Sequence, residues 1–200
     1  MRPDNIVDAL KIVILSRIFL SKYMFELSSK RLIYKTLTVD NVSQTYVDWL
    51  NDPEVNCYLE TRHMHQTAES CRSYVADMEI SSTNNLFGIY LRESGQHIGN
   101  VKLGFINPYY QRAQLSLFIG EKDCWEKGFA TETIKAITSW GFNDLKLEKI
   151  EAGCYDKNIG SLRAFLKAGY QVEGYLRKNI ILDDERIGSF WLGALPNDAT

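Results

Sequence analysis

Two rhythms of apolar and polar residues run along the chain, and the changes between them mark its elements. Arg31-Leu-Ile-Tyr-Lys-Thr-Leu37 alternates and predicts a first strand. Val42, Tyr46, Val47, Trp49 and Leu50 then fall at helical spacing. They predict a helix over 42–51, with capping residues in Thr38-Val-Asp-Asn41 and a stop at Asn51-Asp-Pro53, since proline cannot continue the ladder. Residues 54–59 read as a short helix, and 68–80 as a longer one with Thr67 as its N-cap. Segments 86–92 and 97–107 predict a hairpin about Glu93-Ser-Gly-Gln96. Strand 113–119, loop 120–128 and helix 130–143 follow, then strand 149–155 and a helix over 159–168 closed by Gly169. Strands 170–182 and 186–195 meet at Asp183-Asp-Glu185. Strands and helices in this order predict one α/β domain, a mixed sheet with helices on both faces.

Residues 6–25 break the pattern. Ile6, Val7, Leu10, Ile12–Leu15 and Ile18–Leu20 are apolar, but Lys11, Arg17 and Lys22 interrupt them. A membrane-spanning helix needs about 20 mainly apolar residues with few charges, and no uninterrupted apolar core precedes a small-residue cleavage site. The spacing suits an amphipathic helix. Three readings stand: a helix docked on the domain or on a second copy in a homodimer, a helix on a membrane surface, or sequence upstream of a natural start at Met24. The first and last are preferred to membrane contact. The chain therefore divides into an amphipathic extension, 1–29, and a domain, 30–196.

Composition narrows the function classes. The chain has 200 residues, 45% of them hydrophobic, with 23 Lys+Arg against 25 Asp+Glu for a net charge of −2. That supports a sizeable core and excludes a disordered chain. It also argues against nucleic-acid binding by bulk electrostatics. Cys57, Cys71, Cys124 and Cys154 form no C-x-x-C pair, which fits reduced thiols and a cytoplasmic protein without a zinc knuckle. His63 and His65 stand together without cysteine or a carboxylate triad, so no metal site is expected.

Two segments carry chemistry. In Glu121-Lys-Asp-Cys-Trp-Glu-Lys-Gly-Phe-Ala-Thr-Glu132, Gly128 and Ala130 open a helix after a strand. Small residues there let a ligand approach the backbone, and unpaired first-turn N–H groups attract a phosphate. The same spacing also suits a plain strand-to-helix turn. Neither G-x-x-x-x-G-K-[ST] nor G-x-G-x-x-G occurs. In Asn158-Ile-Gly-Ser161, Asn158 suits a helix cap and Ser161 the first turn, ahead of core residues Leu162, Phe165 and Leu166.

Taken together, Trp125–Glu132 and Asn158–Ser161 with Gly169-Tyr170 make the chain resemble the GNAT superfamily of N-acetyltransferases, in its RimJ/RimL-type branch, over about residues 30–195. The resemblance implies a mostly antiparallel mixed sheet with a V-shaped splay between strands 113–119 and 149–155. It implies acetyl-CoA as co-substrate, with pantetheine along Phe118, Ile119 and Gly120. The diphosphate would lie on N–H groups of Lys127, Gly128, Phe129, Ala130 and Thr131. Asn158 would hydrogen-bond the pantetheine or help shape the cleft, and Ser161 would approach the sulfur. A backbone N–H near Phe118 or Ile119 would polarise the acetyl carbonyl. A primary amine would attack directly, so Cys124 and Cys154 need not be nucleophiles. Two positions depart from the family pattern. Trp125 stands where Gln or Arg is common, and Phe165 where many members carry a tyrosine acid. Ser161 becomes the substitute acid. With a near-neutral chain, affinity for anionic CoA must come from local N–H groups at 127–131.

Glu60, His63 and His65 are candidate bases or plain solvated loop residues, with Glu60 preferred. Residues 49–63 resemble enzymes of amino-sugar biosynthesis, which implies a nucleotide-linked amino sugar as acceptor. Arg62, His63 and Tyr109 or Tyr110 would then contact it. A protein N-terminus, such as that of a ribosomal protein, other small amines, and a non-catalytic CoA-binding module are the alternatives.

Overall fold

The computed structural model describes residues 26–198, with Ile12 alone ahead of them. Apart from Ile12, the apolar leader 6–25 lies outside the described residues. The strands are β1 (Glu26–Ser28), β2 (Leu32–Thr36), β3 (Asn85–Leu91), β4 (His97–Asn107), β5 (Arg112–Ile119), β6 (Lys149–Tyr155), β7 (Gln171–Leu182) and β8 (Glu185–Ala194). The helices are α1 (Gln44–Asn51), α2 (Pro53–Asn56), α3 (Ala68–Ile80), α4 (Phe129–Asn143) and α5 (Ile159–Lys167), with 3-10 turns at Val39–Asn41, Glu60–His63 and Lys122–Cys124.

Local chemistry fixes the helix starts. Thr67 Oγ1 accepts from Ser70 N–H and Ser70 Oγ accepts from Thr67 N–H, a reciprocal cap on α3. The expected cap of α1 is corrected. Thr38–Asn41 caps its own 3-10 turn, Asn41 Oδ1 accepting from Thr38 N–H, and Ser43 Oγ caps α1 by accepting from Tyr46 N–H.

The strands form one sheet in the order β1-β2-β3-β4-β5-β6-β8-β7. Every neighbouring pair is antiparallel except β5 and β6. β1 pairs with β2, so part of the segment assigned above to the extension belongs to the sheet. On one face, α4 and α5 bury Ile134, Ile137, Trp140 and Phe165 against Tyr34, Phe87, Leu103 and Ile150. On the other, α1 and α3 bury Tyr46, Trp49, Leu50 and Val75 against Leu37 and Leu86. Among the described residues, no helix is long and apolar enough to cross a membrane.

Candidate active site

β5 and β6 run parallel only at their starts, where Arg112, Ala113 and Gln114 pair with Lys149, Ile150 and Glu151. Beyond that the strands part and leave a wedge between 115–119 and 152–155. Arg112 Nη1 donates to buried Glu151 at 2.7 Å and pins the apex. The backbone of the β5 wall can be assigned by parity. Gly120 N–H donates to Ile98 O at 2.8 Å, and Phe118 stands opposite Asn100. In an antiparallel ladder alternate residues bond to the neighbour. Phe118 and Gly120 therefore turn their main-chain groups to β4, while Ile119 turns its own into the wedge. Of the three residues expected to line pantetheine, only Ile119 presents its N–H there. The Phe118 ring packs away from the wedge, stacked on Tyr46 with centroids 6.4 Å apart. A Cβ on Gly120 would meet the Trp49 indole at 2.1 Å, so this glycine is demanded by packing.

The loop after β5 is tied back to it. Trp125 Nε1 donates to Ile119 O at 2.8 Å, which explains the indole at this loop position. Gly128, with φ +79°, then turns the chain into α4, and no side chain caps the helix. A Cβ there would clash with nothing and would touch Arg31 Nη2 at 3.7 Å, an ordinary van der Waals contact. The first-turn N–H groups thus face outward at the positive end of a 15-residue helix. Glu132 in that turn accepts from Ser29 Oγ, Arg31 N–H and Arg31 Nε, each at 2.7 Å. Burial pushes its carboxyl up, but these bonds outweigh burial and hold it below the usual range.

At the start of α5, Asn158 Oδ1 accepts from Ser161 N–H at 3.0 Å. The cap fixes Ser161 at the helix start, half-buried. Phe165 is buried edge-to-face on Tyr170 and belongs to the core. Burial first, then Asp156, pushes the Cys154 thiol up to about 11, and burial also raises Cys124. Burial thus disfavours the thiolate form of both.

The β6 wall ends on Tyr155, which sequence reasoning missed. Its hydroxyl donates to Glu60 and accepts from Arg62 Nη1 at 2.8 Å. Arg62 Nη1 also donates to Leu59 O and Nη2 to Ile181 O. Only 13% of its side chain is exposed. Arg62, expected to contact the acceptor, instead clamps the Glu60–His63 turn to β6 and β7. Glu60 stays exposed at the wedge mouth, with His63 Nε2 at 3.7 Å. Burial, then the Glu60 carboxylate, raises the Tyr155 hydroxyl. Tyr109 and Tyr110 are also corrected. They sit in the β4–β5 turn at the Arg112 end of β5, about 23 Å along the strand from Ile119 at 3.3 Å per residue. His65 is exposed beyond the turn. Among the described residues, no group of three His, Cys, Asp or Glu could hold a metal ion.

The chain is similar to known proteins in sequence and in fold. A family model described as "Acetyltransferase (GNAT) domain" matches residues 31–171. An uncharacterized N-acetyltransferase p20 of Bacillus licheniformis is 26% identical, covering 77% of this chain and 86% of that protein. The crystal structure of spermidine N-acetyltransferase from Vibrio cholerae, in complex with CoA and spermine, superposes with TM-score 0.76 at 17% identity, over 85% of this chain and 98% of that one. Mycobacterium smegmatis RimJ in complex with CoA-disulfide gives 0.75 at 14%, over 88% and 90%.

Proposed function

The chain belongs to the GNAT acetyltransferase family, and from that premise we propose that it transfers the acetyl group of acetyl-CoA to a small primary amine by direct attack. The observation that carries this is the Ile119 N–H in the wedge, one loop away from the uncapped start of α4. These two features fit a ligand with a slender amide arm and a diphosphate. Bound there, acetyl-CoA supplies an activated thioester acyl group. Ile119 N–H donates to the thioester carbonyl oxygen and stabilises charge that develops on it. N–H groups of 127–131 hold the diphosphate. Asn158, whose Oδ1 caps the helix, would offer its Nδ2 to the arm. Glu60 accepts the proton of the ammonium group, directly or through water. Tyr155 orients its carboxylate. Ser161 donates to the departing sulfur, a modest task because a free thiol ionises near pH 8.5.

The amino-sugar acceptor rested on the resemblance of residues 49–63, with Arg62, His63 and Tyr109 or Tyr110 as its contacts; Arg62 is committed to the turn and the two tyrosines lie at the far end of β5, so at the mouth there remain His63 and the exposed Glu60 carboxylate. That suits an ammonium group on a sugar, a polyamine or a peptide N-terminus. The test is thiol release from acetyl-CoA with an acceptor panel of nucleotide-linked amino sugars, polyamines and N-terminal peptides. Release with one class names the acceptor. CoA binding with no release from any amine would overturn the proposal.

A further inference from the structure

We propose that Arg31 is the cation that holds the diphosphate of CoA over the first turn of α4. The proposal rests on the CoA reading above and adds a residue that no part of the loop motif contains. The loop position where Gln or Arg is common carries Trp125, whose single N–H is committed to Ile119 O. The loop therefore brings no guanidinium of its own. Arg31 arrives from the start of β2, across the sheet. Its Nε donates to Glu132 Oε2 at 2.7 Å and its Nη1 to Lys127 O at 2.9 Å. Its plane lies over the Phe129 ring, 4.3 Å from the centroid. Nη2 has no acceptor among the described residues and stands 3.7 Å from where a Cβ of residue 128 would be. Three contacts thus hold the guanidinium still, and its one uncommitted nitrogen is presented at the glycine where the anion approaches. The side chain is 44% exposed, so a ligand can reach it.

Glu132 gives the arrangement a second function. A carboxylate in the first turn of a helix favours the helix but repels a bound anion. Arg31 covers that carboxylate from the ligand side while adding its own charge. Removing Arg31 therefore does two things: it deletes a donor and uncovers a negative charge.

The experiment measures affinities of the full chain by calorimetry for CoA, 3′-dephospho-CoA and pantetheine. Arg31→Gln is expected to weaken CoA and 3′-dephospho-CoA alike, by about tenfold, the scale of one charge-assisted hydrogen bond, and to leave pantetheine unchanged. Glu132→Gln alone keeps an acceptor for Arg31 and removes the repelling charge, so it is expected to lose less affinity than Arg31→Gln. Arg31→Gln with Glu132→Gln is expected to recover part of the tenfold loss. Equal affinities for wild type and Arg31→Gln would overturn the role of Arg31 and leave the CoA reading intact. A loss for CoA but not for 3′-dephospho-CoA would assign Arg31 to the 3′-phosphate and overturn the proposal. Equal losses in both single variants, with pantetheine also weakened, would mean that Arg31 only braces the loop. A wild-type chain that binds no CoA would overturn the CoA reading itself.

Discussion

The two walls of the wedge are made of different materials. The β5 wall is main chain: the Ile119 N–H, a left-handed Gly128 and an uncapped helix start, all within a dozen residues. The β6 wall is side chain: Glu60 and Arg62 reach Tyr155 across 95 and 93 residues of sequence, and Arg62 reaches Ile181 across 119. Under the proposed function, the main-chain wall would recognise the diphosphate and the amide arm of the co-substrate. A side-chain wall can change its acceptor one residue at a time without disturbing the other.

Each wall should therefore fail separately. The largest effect is expected from Gly128→Val. It forces a β-branched residue into positive φ and puts methyl groups where the anion approaches. CoA affinity should fall about tenfold to a hundredfold, one to two charge-assisted hydrogen bonds. Unchanged affinity by calorimetry would remove the loop from the site. Tyr155→Phe tests the other wall. It keeps the ring packing but deletes the hydroxyl between Glu60 and Arg62. The kcat/KM for amine should fall about tenfold, the size of a general-base contribution partly lost, with CoA affinity unchanged. Matching losses in both would mean that the walls are coupled. Ser161→Ala should lower turnover by a smaller factor, about threefold, because a thiolate leaves readily. An equal loss of CoA affinity would make Ser161 a binding residue instead.

His97 belongs to neither wall and serves as the control. It is packed among Tyr90, Trp49 and Tyr46, with Nε2 2.8 Å from Asn100 Oδ1. Burial holds its pKa below the ordinary histidine value, against the Asn100 hydrogen bond. The unfolded chain therefore takes up a proton at higher pH than the folded one. Stability contributed by neutral His97 is present above the unfolded value and is lost as pH falls through it. Melting between pH 7.5 and 5.5 should show a fall of a few degrees that is smaller in His97→Gln. An equal fall in both would assign the acid sensitivity elsewhere. CoA affinity at pH 7.5 should be the same for wild type and variant.

Legibility in the sequence followed the same division. The elements from β2 to β8 were readable because alternation and helical spacing are local, and so was the α4 start, because Gly128 and Ala130 announce it. β1 was missed because three residues carry no period. The parity of the β5 backbone was not readable either: that Ile119 rather than Phe118 faces the wedge depends on the β4 register, set by Gly120 bonding to Ile98. Arg31, Tyr155 and the clamping of Arg62 were invisible because their partners are far away in sequence. Tyr109 was misjudged for a related reason: proximity along the chain to β5 says nothing about which end of the strand is the mouth.

The short parallel ladder between β5 and β6 has one more consequence. An unpaired strand edge in the middle of a sheet would ordinarily invite another polypeptide to zip onto it. Here the exposed edge lies inside a taper that closes at Arg112 and Glu151. A full strand needs about 4.8 Å on each side and room for alternating side chains, and a narrowing gap denies it both. A bare amide chain without side chains meets neither obstacle. The taper that would admit the co-substrate under the proposed function would therefore also keep a further strand off this edge, by thickness alone.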